Sequence, residues 1–263
     1  MSSVLFGPSP VETPNGMTWD LPAGWEQGRG AWGGMVVTGV VRAATLAIGD
    51  DLPVRSISVQ ILSPVLAGPT SVEVEPLHTG SNTRSANVRL VQAGEVKANA
   101  VVVFGASRVP DLVLHGDDAP PNAAPWHDLP RIPLDGAPRF ASHFDLRLIE
   151  GAPWQGNASD ILGYLLPTDA PTDAVHDAAS LLGLVDCYWP STLTQFAGMR
   201  PAATLTFEAY LLVDPADIPA DEPLLHHGTT LGVAGGYAAE LRRIWSASGT
   251  LVAVNLQLVA IIK

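Results

Sequence analysis

The sequence is poor in cysteine and in positive charge, and it has no long uninterrupted hydrophobic run. Cys187 is the single cysteine, which excludes an internal disulfide framework and a multi-cysteine metal site. Acidic residues outnumber lysine and arginine by 26 to 14, for a net charge of −12. A general nucleic-acid binder, or a protein that docks on an anionic membrane, would need the opposite sign.

The sequence also shows little that is typical of a signal peptide or of a membrane-spanning segment. The first residues, MSSVLFGP, offer neither the basic region nor the apolar length of a signal peptide. The apolar run at residues 251–262 is interrupted by Asn255 and Gln257, so we expect no membrane insertion. With 47% hydrophobic residues in a chain of 263, the sequence predicts a compact cytoplasmic protein of one large or two ordinary domains.

The first half has an α+β pattern. Residues 33–48 (GGMVVTGVVRAATLAI) are apolar almost all round, which predicts a helix within a core. Strand-like segments follow, and the last two are joined by an Ala-Gly hairpin signal. They are residues 54–62, 70–77, 85–92 and 95–104. One helix followed by a series of antiparallel strands differs from the alternation that parallel sheets require.

The second half repeats this order. Residues 178–193 predict another buried helix, ended or kinked at Pro190. Strands are predicted at residues 204–212, 229–233, 237–246 and 250–262. Residues 92–104 align with residues 247–259 at an offset of 155, which superposes glycine on glycine in the turn. We therefore predict an N-terminal module (1–108), an extended proline-rich linker (109–138) and a C-terminal module (139–263).

Short motifs in both halves carry a family resemblance. The first half has WGGM at residues 32–35, SVQILSP at 58–64 and TGSN at 79–82. The second half has LGLVD ending at Asp186, a strand containing Thr204 in ATLTF, and GTLVAVNLQ ending at Gln257. In this order the chain resembles the acyl-CoA thioesterase II family of bacteria and peroxisomes.

The resemblance implies a fold, an activity and a site. The fold would be a double hotdog, two fused α+β modules each with a long central helix wrapped by an antiparallel sheet. The activity would be hydrolysis of acyl-CoA to CoA and a free carboxylic acid, with no metal or other cofactor. Asp186, Thr204 and Gln257 would hold the attacking water. The family often has acidic and histidine residues just after the strand threonine, where this chain has Thr206 and Phe207.

The three residue types suit this chemistry, although each also has an ordinary structural interpretation. Asp186 is the one charged residue between Asp177 and Arg200; it either faces the interior with partners or marks a solvated helix edge. Gln257 lies two residues after Asn255, so both amides point to one side of the strand, whether into a site or into solvent. Threonine is common in strands, and we expect Thr206 to lie on the same face as Thr204. The ordinary interpretation of Thr204 is therefore part of a solvated polar stripe.

Glycines supply the predicted substrate contacts. Gly33 and Gly34 open the first helix, where free N–H groups suit an oxyanion or a phosphate, although a glycine pair also permits tight chain entry. The segment Gly80, Ser81 and Asn82 either approaches the pantetheine arm of CoA or forms a simple turn.

Histidines and arginines elsewhere in the sequence raise two further questions, metal binding and contact with CoA phosphates. His226 and His227 are adjacent and have no ligand spacing for a metal, so we interpret them as solvated loop histidines. Arginines at 84, 89, 242 and 243 are candidates for a local contact with CoA phosphates. By analogy with fused hotdogs, we expect a homodimer or higher homo-oligomer.

A rival hypothesis keeps the fold without the reaction. The protein would then bind acyl-CoA or a lipid-like ligand without turnover, a possibility that the residues after Thr204 leave open. A hydratase is disfavoured because no Asp and His pair begins a helix.

Overall fold

The computed structural model describes residues 5–109, 119–157 and 160–262. Within these residues the chain forms two α-helices, α1 (Gly33–Ile48) and α2 (Ala178–Leu184), and four short 3₁₀ turns. The strands are β1 (Val11–Thr13), β2 (Gly16–Leu21), β3 (Glu26–Gln27), β4 (Gly30–Ala31), β5 (Val54–Ile61), β6 (Gly68–Thr79), β7 (Thr83–Gln92), β8 (Glu95–Gly105), β9 (Phe144–Glu150), β10 (Ile161–Pro167), β11 (Ala202–Leu211), β12 (Leu224–Ala234), β13 (Tyr237–Trp245) and β14 (Leu251–Ile261).

Twelve of the described strands form one antiparallel sheet whose order is nearly a palindrome. The order is β1-β2-β6-β7-β8-β5-β11-β14-β13-β12-β10-β9. β5 pairs with β11 at the centre, so the two predicted repeats share one continuous sheet. Gly94 and Gly249, which the sequence alignment superposes, both adopt positive φ in the hairpin turns before β8 and β14. This arrangement supports a double hotdog.

The first predicted helix has its predicted bounds. Ten residues of α1 are buried, because the helix is apolar on nearly every side and lies against β6, β7 and β8. It also packs against α2, and the two helices approach closely at Gly34 and Gly183. No described helix is long and apolar enough to cross a membrane.

The second helix is much shorter than predicted, so the expectation of a long central helix in each module is wrong for the second. α2 has seven residues and ends at Leu184, well before Pro190. Tertiary partners end it: Arg242 Nη1 donates to the carbonyl of Val185 over 3.3 Å, and Trp32 Nε1 donates to that of Asp186 over 2.8 Å. The chain tightens there, with the N–H of Asp186 bonded to the carbonyl of Gly183.

The eight predicted strands all form, with ends that differ by up to five residues. β1 to β4, β9 and β10 were not predicted. The connecting segment, residues 119–138, contains one 3₁₀ turn and a tight turn at residues 135–136 and otherwise has no regular secondary structure. It packs on the protein: the Arg147 guanidinium lies 3.9 Å over the Trp126 ring, and Ile132 N–H bonds to the Leu146 carbonyl. Residues 110–118 of the predicted linker lie outside the described residues.

Candidate active site

Asp186 lies in the tight turn that follows α2, and its backbone is held from the other half of the chain. Trp32, the residue before α1, donates its indole N–H to the Asp186 carbonyl. The side chain is only 6% exposed, so the interpretation of Asp186 as a solvated helix edge is wrong. A buried carboxylate requires partners, and the structure supplies them from three directions.

The Asp186 carboxylate lies at the N-terminus of α1. One oxygen, Oδ1, accepts from Arg242 Nη1 at 2.9 Å and from Gln257 Nε2 at 3.0 Å. The backbone N–H of Gly34 also bonds to the carboxylate. The helix has no side-chain cap of its own, so Asp186 caps it from a distant part of the sequence and benefits from the helix dipole.

Gln257 links the Asp186 carboxylate to Thr204, which is half-buried. Its Nε2 donates to Asp186 Oδ1 and to Asn255 Oδ1, each at 3.0 Å, and its Oε1 accepts from Thr204 Oγ1 at 3.0 Å. Both amide hydrogens are therefore used, and Oε1 retains a free lone pair. The predicted common side of Asn255 and Gln257 is correct, and it faces the interior: Gln257 is 2% exposed.

A β-bulge in β11 sets the orientation of Thr204. Thr204 pairs with Val259 of β14, but Thr206 pairs with Leu258, so Leu205 is the extra residue. The bulge places Thr204 on the inner face and Thr206 on the outer face. The expectation that both threonines share one face is therefore wrong. Phe207 follows on the inner face, paired with Gln257 and only 2% exposed, so it forms an apolar wall beside the amide.

The site lies just beneath the surface. Gly33, Ile61 and Thr204 are half-buried, and Gly33 and Ile61 lie near the second carboxylate oxygen. A Cβ placed on Gly33 would lie 2.5 Å from Asp186 Oδ2 and 3.8 Å from Ile61 Cδ1. A side chain at position 33 would therefore crowd Oδ2, and glycine avoids this contact.

Of the other predicted substrate-binding residues, Gly34 lies at the site and the 80–82 turn does not. Gly34 adjoins Asp186, but a Cβ there would strike the Trp32 ring and the Gly183 carbonyl, so close helix packing also requires it. The turn of Gly80, Ser81 and Asn82 is not brought to the site. Arg84, just after it, bonds to the Ile48 carbonyl at the C-terminal end of α1, about 24 Å along the helix from Gly33.

Burial and the neighbouring donors have opposite effects on the pKa of Asp186. Burial raises the pKa of Asp186 above its ordinary value, and the Arg242 guanidinium, the Gln257 amide and the Gly34 N–H oppose that rise. The raised pKa makes the carboxylate a better proton acceptor than an exposed aspartate.

Arg242 and Glu240 are site residues that sequence reasoning missed or misplaced. Arg242 is 1% exposed and Glu240 is fully buried, so Arg242 is not available to CoA phosphates. Arg84 and Arg89 pair instead with acidic neighbours, Asp51 in the first case and Glu73 and Glu75 in the second. A signal was present: residues 238, 240, 242 and 244 alternate in β13, so two charged side chains share the face of buried neighbours.

The histidine pair is not in a solvated loop. His226 and His227 lie in β12 and face opposite sides of the sheet, as expected for adjacent strand residues. His226 is fully buried, whereas His227 Nε2 bonds to Asp160 Oδ2 at 2.9 Å. No group of three or more His, Cys, Asp or Glu side chains that could hold a metal occurs among the described residues.

A concavity of about 480 Å³ opens elsewhere, on the outer face of the sheet. Its lining includes Ser58, Gln60, Thr206, Glu208 and Leu256. These side chains point away from Asp186, because residues alternate between faces along a strand. Phe207 and Gln257 are also part of its lining, so the concavity lies against the opposite side of the strands that carry the candidate site.

Comparison with known proteins identifies the family of this chain. The family described as the acyl-CoA thioesterase N-terminal domain matches residues 21–105, and the acyl-CoA thioesterase C-terminal domain matches residues 115–261. No functionally curated protein matches the sequence significantly.

Solved structures share the fold over nearly the whole chain. A hot dog protein of unknown function from Alicyclobacillus acidocaldarius is 24% identical, with a TM-score of 0.87 over 94% of this chain and 93% of that one. A putative thioesterase II from Thermobifida fusca is 22% identical, with a TM-score of 0.80 over 97% and 95%. The acyl-CoA thioesterase II TesB2 from Mycobacterium marinum is 24% identical, with a TM-score of 0.71 over 87% and 88%. Because the two domain matches together span both halves of the sheet, the chain belongs to the acyl-CoA thioesterase family.

Proposed function

We propose that this protein hydrolyses acyl-CoA thioesters by direct attack of a water molecule that Asp186 activates. The observation that carries the proposal is the convergence of three side chains beside the N-terminus of α1. Asp186, Gln257 and Thr204 form a continuous hydrogen-bonded chain, and the Gly34 N–H at the N-terminus of α1 bonds to the Asp186 carboxylate. Family membership supports the acyl-CoA substrate.

In the proposed reaction, water lies against Asp186 Oδ2 and the free lone pair of Gln257 Oε1. Its oxygen attacks the thioester carbonyl while the carboxylate takes a proton. The tetrahedral intermediate then expels the CoA sulfur, and the proton returns to give CoA thiol and a carboxylic acid. Thr204 holds the Gln257 amide in the required orientation. General-base assistance of this kind contributes about 10²- to 10⁴-fold in rate.

The developing oxyanion needs donors, and α1 offers them. The first N–H groups of a helix point out of its N-terminus. The N–H of Gly34 already bonds to Asp186, so we assign the N–H of Gly33 to the oxyanion. Loss of one such donor typically costs about 3 kcal/mol of transition-state stabilisation.

The module boundaries at 108 and 139, a homo-oligomeric state and a cytoplasmic location also stand as proposals. The near-palindromic sheet supports the two modules, and the two family matches end at 105 and begin at 115. Light scattering on the purified chain tests the oligomer, for which a monomer is the contradicting result.

The test of function is thiol release from a panel of short- to long-chain acyl-CoAs. A thiol reagent suits this protein, since Cys187 is 2% exposed and burial raises the pKa of its thiol. We expect turnover with at least one chain length, and Thr206→Val, on the outer face, as a control with unchanged activity. Saturable binding in calorimetry without thiol release would instead favour the non-catalytic binding protein.

A further inference from the structure

Glu240 and Arg242 form a buried charged network with Asp186. Arg242 Nε donates to Glu240 Oε1 at 2.8 Å, while its Nη1 donates to Asp186 Oδ1 at 2.9 Å. The second oxygen of Glu240 accepts the backbone N–H of Ser191 at 2.9 Å. Burial raises the pKa of Glu240, but Arg242 and the Ser191 N–H both donate to its carboxylate and oppose that rise, which favours the ionised form. The guanidinium is held at both ends in one fixed orientation.

The first half of the chain shows that the fold does not need these charges. Through the strand registers, Glu240 and Arg242 of β13 and their partners in β14 correspond to four positions in β7 and β8. Glu240 pairs with Gln257 and Arg242 with Asn255. In β7 and β8 the corresponding pairs are Ala86 with Val102 and Val88 with Ala100.

The residues at those first-half positions are all fully buried and apolar. The same chain thus builds the same sheet twice, once with apolar residues and once with a charged network. Buried ion networks are often no more stable than apolar residues of similar volume. Stability therefore gives no sufficient reason for the charges, and their contact with Asp186 indicates another.

We propose that Arg242 and Glu240 are positioning residues that orient the Asp186 carboxylate and set the pH range in which it accepts a proton. This inference rests on the proposed function. Arg242 bonds to Oδ1, so that Oδ2 is the oxygen directed toward Gly33. The Arg242 guanidinium bonds to Glu240 as well as to Asp186, so the negative charge of Glu240 weakens the effect of Arg242 on Asp186.

Few charged or titratable groups otherwise face Asp186 among the described residues. β13 contributes Arg242 and Glu240, β12 contributes His226, and Cys187 follows Asp186 in the chain. Burial, and then the Arg242 charge, lower the pKa of His226 well below its ordinary value, so His226 is neutral near pH 7. Burial raises the pKa of Cys187. The contacts from α1 and β14, the Gly34 N–H and the Gln257 amide, are uncharged.

Two variants are expected to move the acid limb of the rate profile in opposite directions. Glu240→Gln removes a negative charge, so the Arg242 cation acts on Asp186 without an opposing partner and lowers the pKa of Asp186 further. The acid limb of kcat/KM should therefore move to lower pH. The double variant Arg242→Met with Glu240→Gln removes the opposite charge that touches Asp186 without leaving Glu240 unpaired. Its limb should move upward by at least about one pH unit, the lower end of what such a charge does at this distance.

The experiment measures kcat/KM against pH by thiol release for the wild-type chain and both variants. Carbon-13 NMR titration of labelled aspartate gives the pKa of Asp186 directly, with its resonance identified by its loss in Asp186→Asn. Opposite shifts of the Asp186 pKa support the proposal. Unchanged pKa values in folded variants overturn it, since a purely structural role would lower stability and activity without moving the titration.

The controls separate failure of this inference from failure of the proposed function. Circular dichroism melts confirm folding, and if the double variant does not fold, Glu240→Gln alone decides through the sign of its shift. A wild-type chain without turnover would contradict the proposed function, while the NMR titration would still test Arg242 and Glu240.

Discussion

Adding one methyl group at Gly33 should disable the site while leaving the fold intact. Gly33 is not among the positive-φ residues, so alanine suits its backbone and its place at the start of α1. The added Cβ would lie 2.5 Å from Asp186 Oδ2. Carbon and oxygen in ordinary contact need about 1 Å more, so the carboxylate must retreat by roughly that distance.

The magnitude follows from this displacement. A misplacement of about 1 Å in a reacting group can cost about 10²-fold in rate. Stability should change little, because replacing glycine by alanine in a helix favours folding by up to about 1 kcal/mol and offsets part of the cost of moving the carboxylate. We therefore expect Gly33→Ala to lower kcat/KM about 100-fold with a nearly unchanged melting temperature.

The assay is thiol release alongside thermal melting, with Gly198→Ala as the matched control. A Cβ at Gly198 meets nothing within 4 Å, and Gly198 is not among the positive-φ residues. This control should keep wild-type activity. If Gly33→Ala retained wild-type kcat/KM, the position assigned to Oδ2 in the reaction would be wrong.

Two further predictions concern Thr204 and His176. Thr204→Val, which loses its bond to Gln257, should lower kcat/KM about tenfold, whereas Thr206→Val should stay close to wild type; equal losses would contradict the bulge-based assignment. His176 has its pKa lowered from 6.5 to about 4, by burial first, so its stabilising effect is complete above pH 6.5 and is lost as the pH falls toward 4. Denaturant unfolding should show about 3 kcal/mol of pH-dependent stability, which His176→Asn should remove; an equally steep loss in the variant would refute this.

Local pattern was enough to predict α1 and most of the sheet. Residues 33–48 are apolar on nearly every side, and that property depends on the sequence alone. The alternation in β13 and β14 was also visible, as was the shared face of Asn255 and Gln257. These features follow from side-chain periodicity.

The remaining features depend on partners far away in the chain. α2 ends early because Trp32 and Arg242, 154 and 57 residues from the carbonyls that they bond, take those carbonyls. The bulge at Leu205 has no glycine to mark it, yet it decides which threonine reaches the site. The burial of Arg242 likewise could not be predicted from the sequence, because a charged pair in a strand is more often solvated than buried.

The most direct measurement of the central claim is kcat/KM of Asp186→Asn for the best acyl-CoA substrate. Asparagine keeps the volume of the side chain and an oxygen for Arg242, but it cannot take the proton from water. The account predicts a loss of about 10²- to 10⁴-fold in a folded protein. A variant within a few-fold of wild type would contradict the assignment of Asp186 as the base.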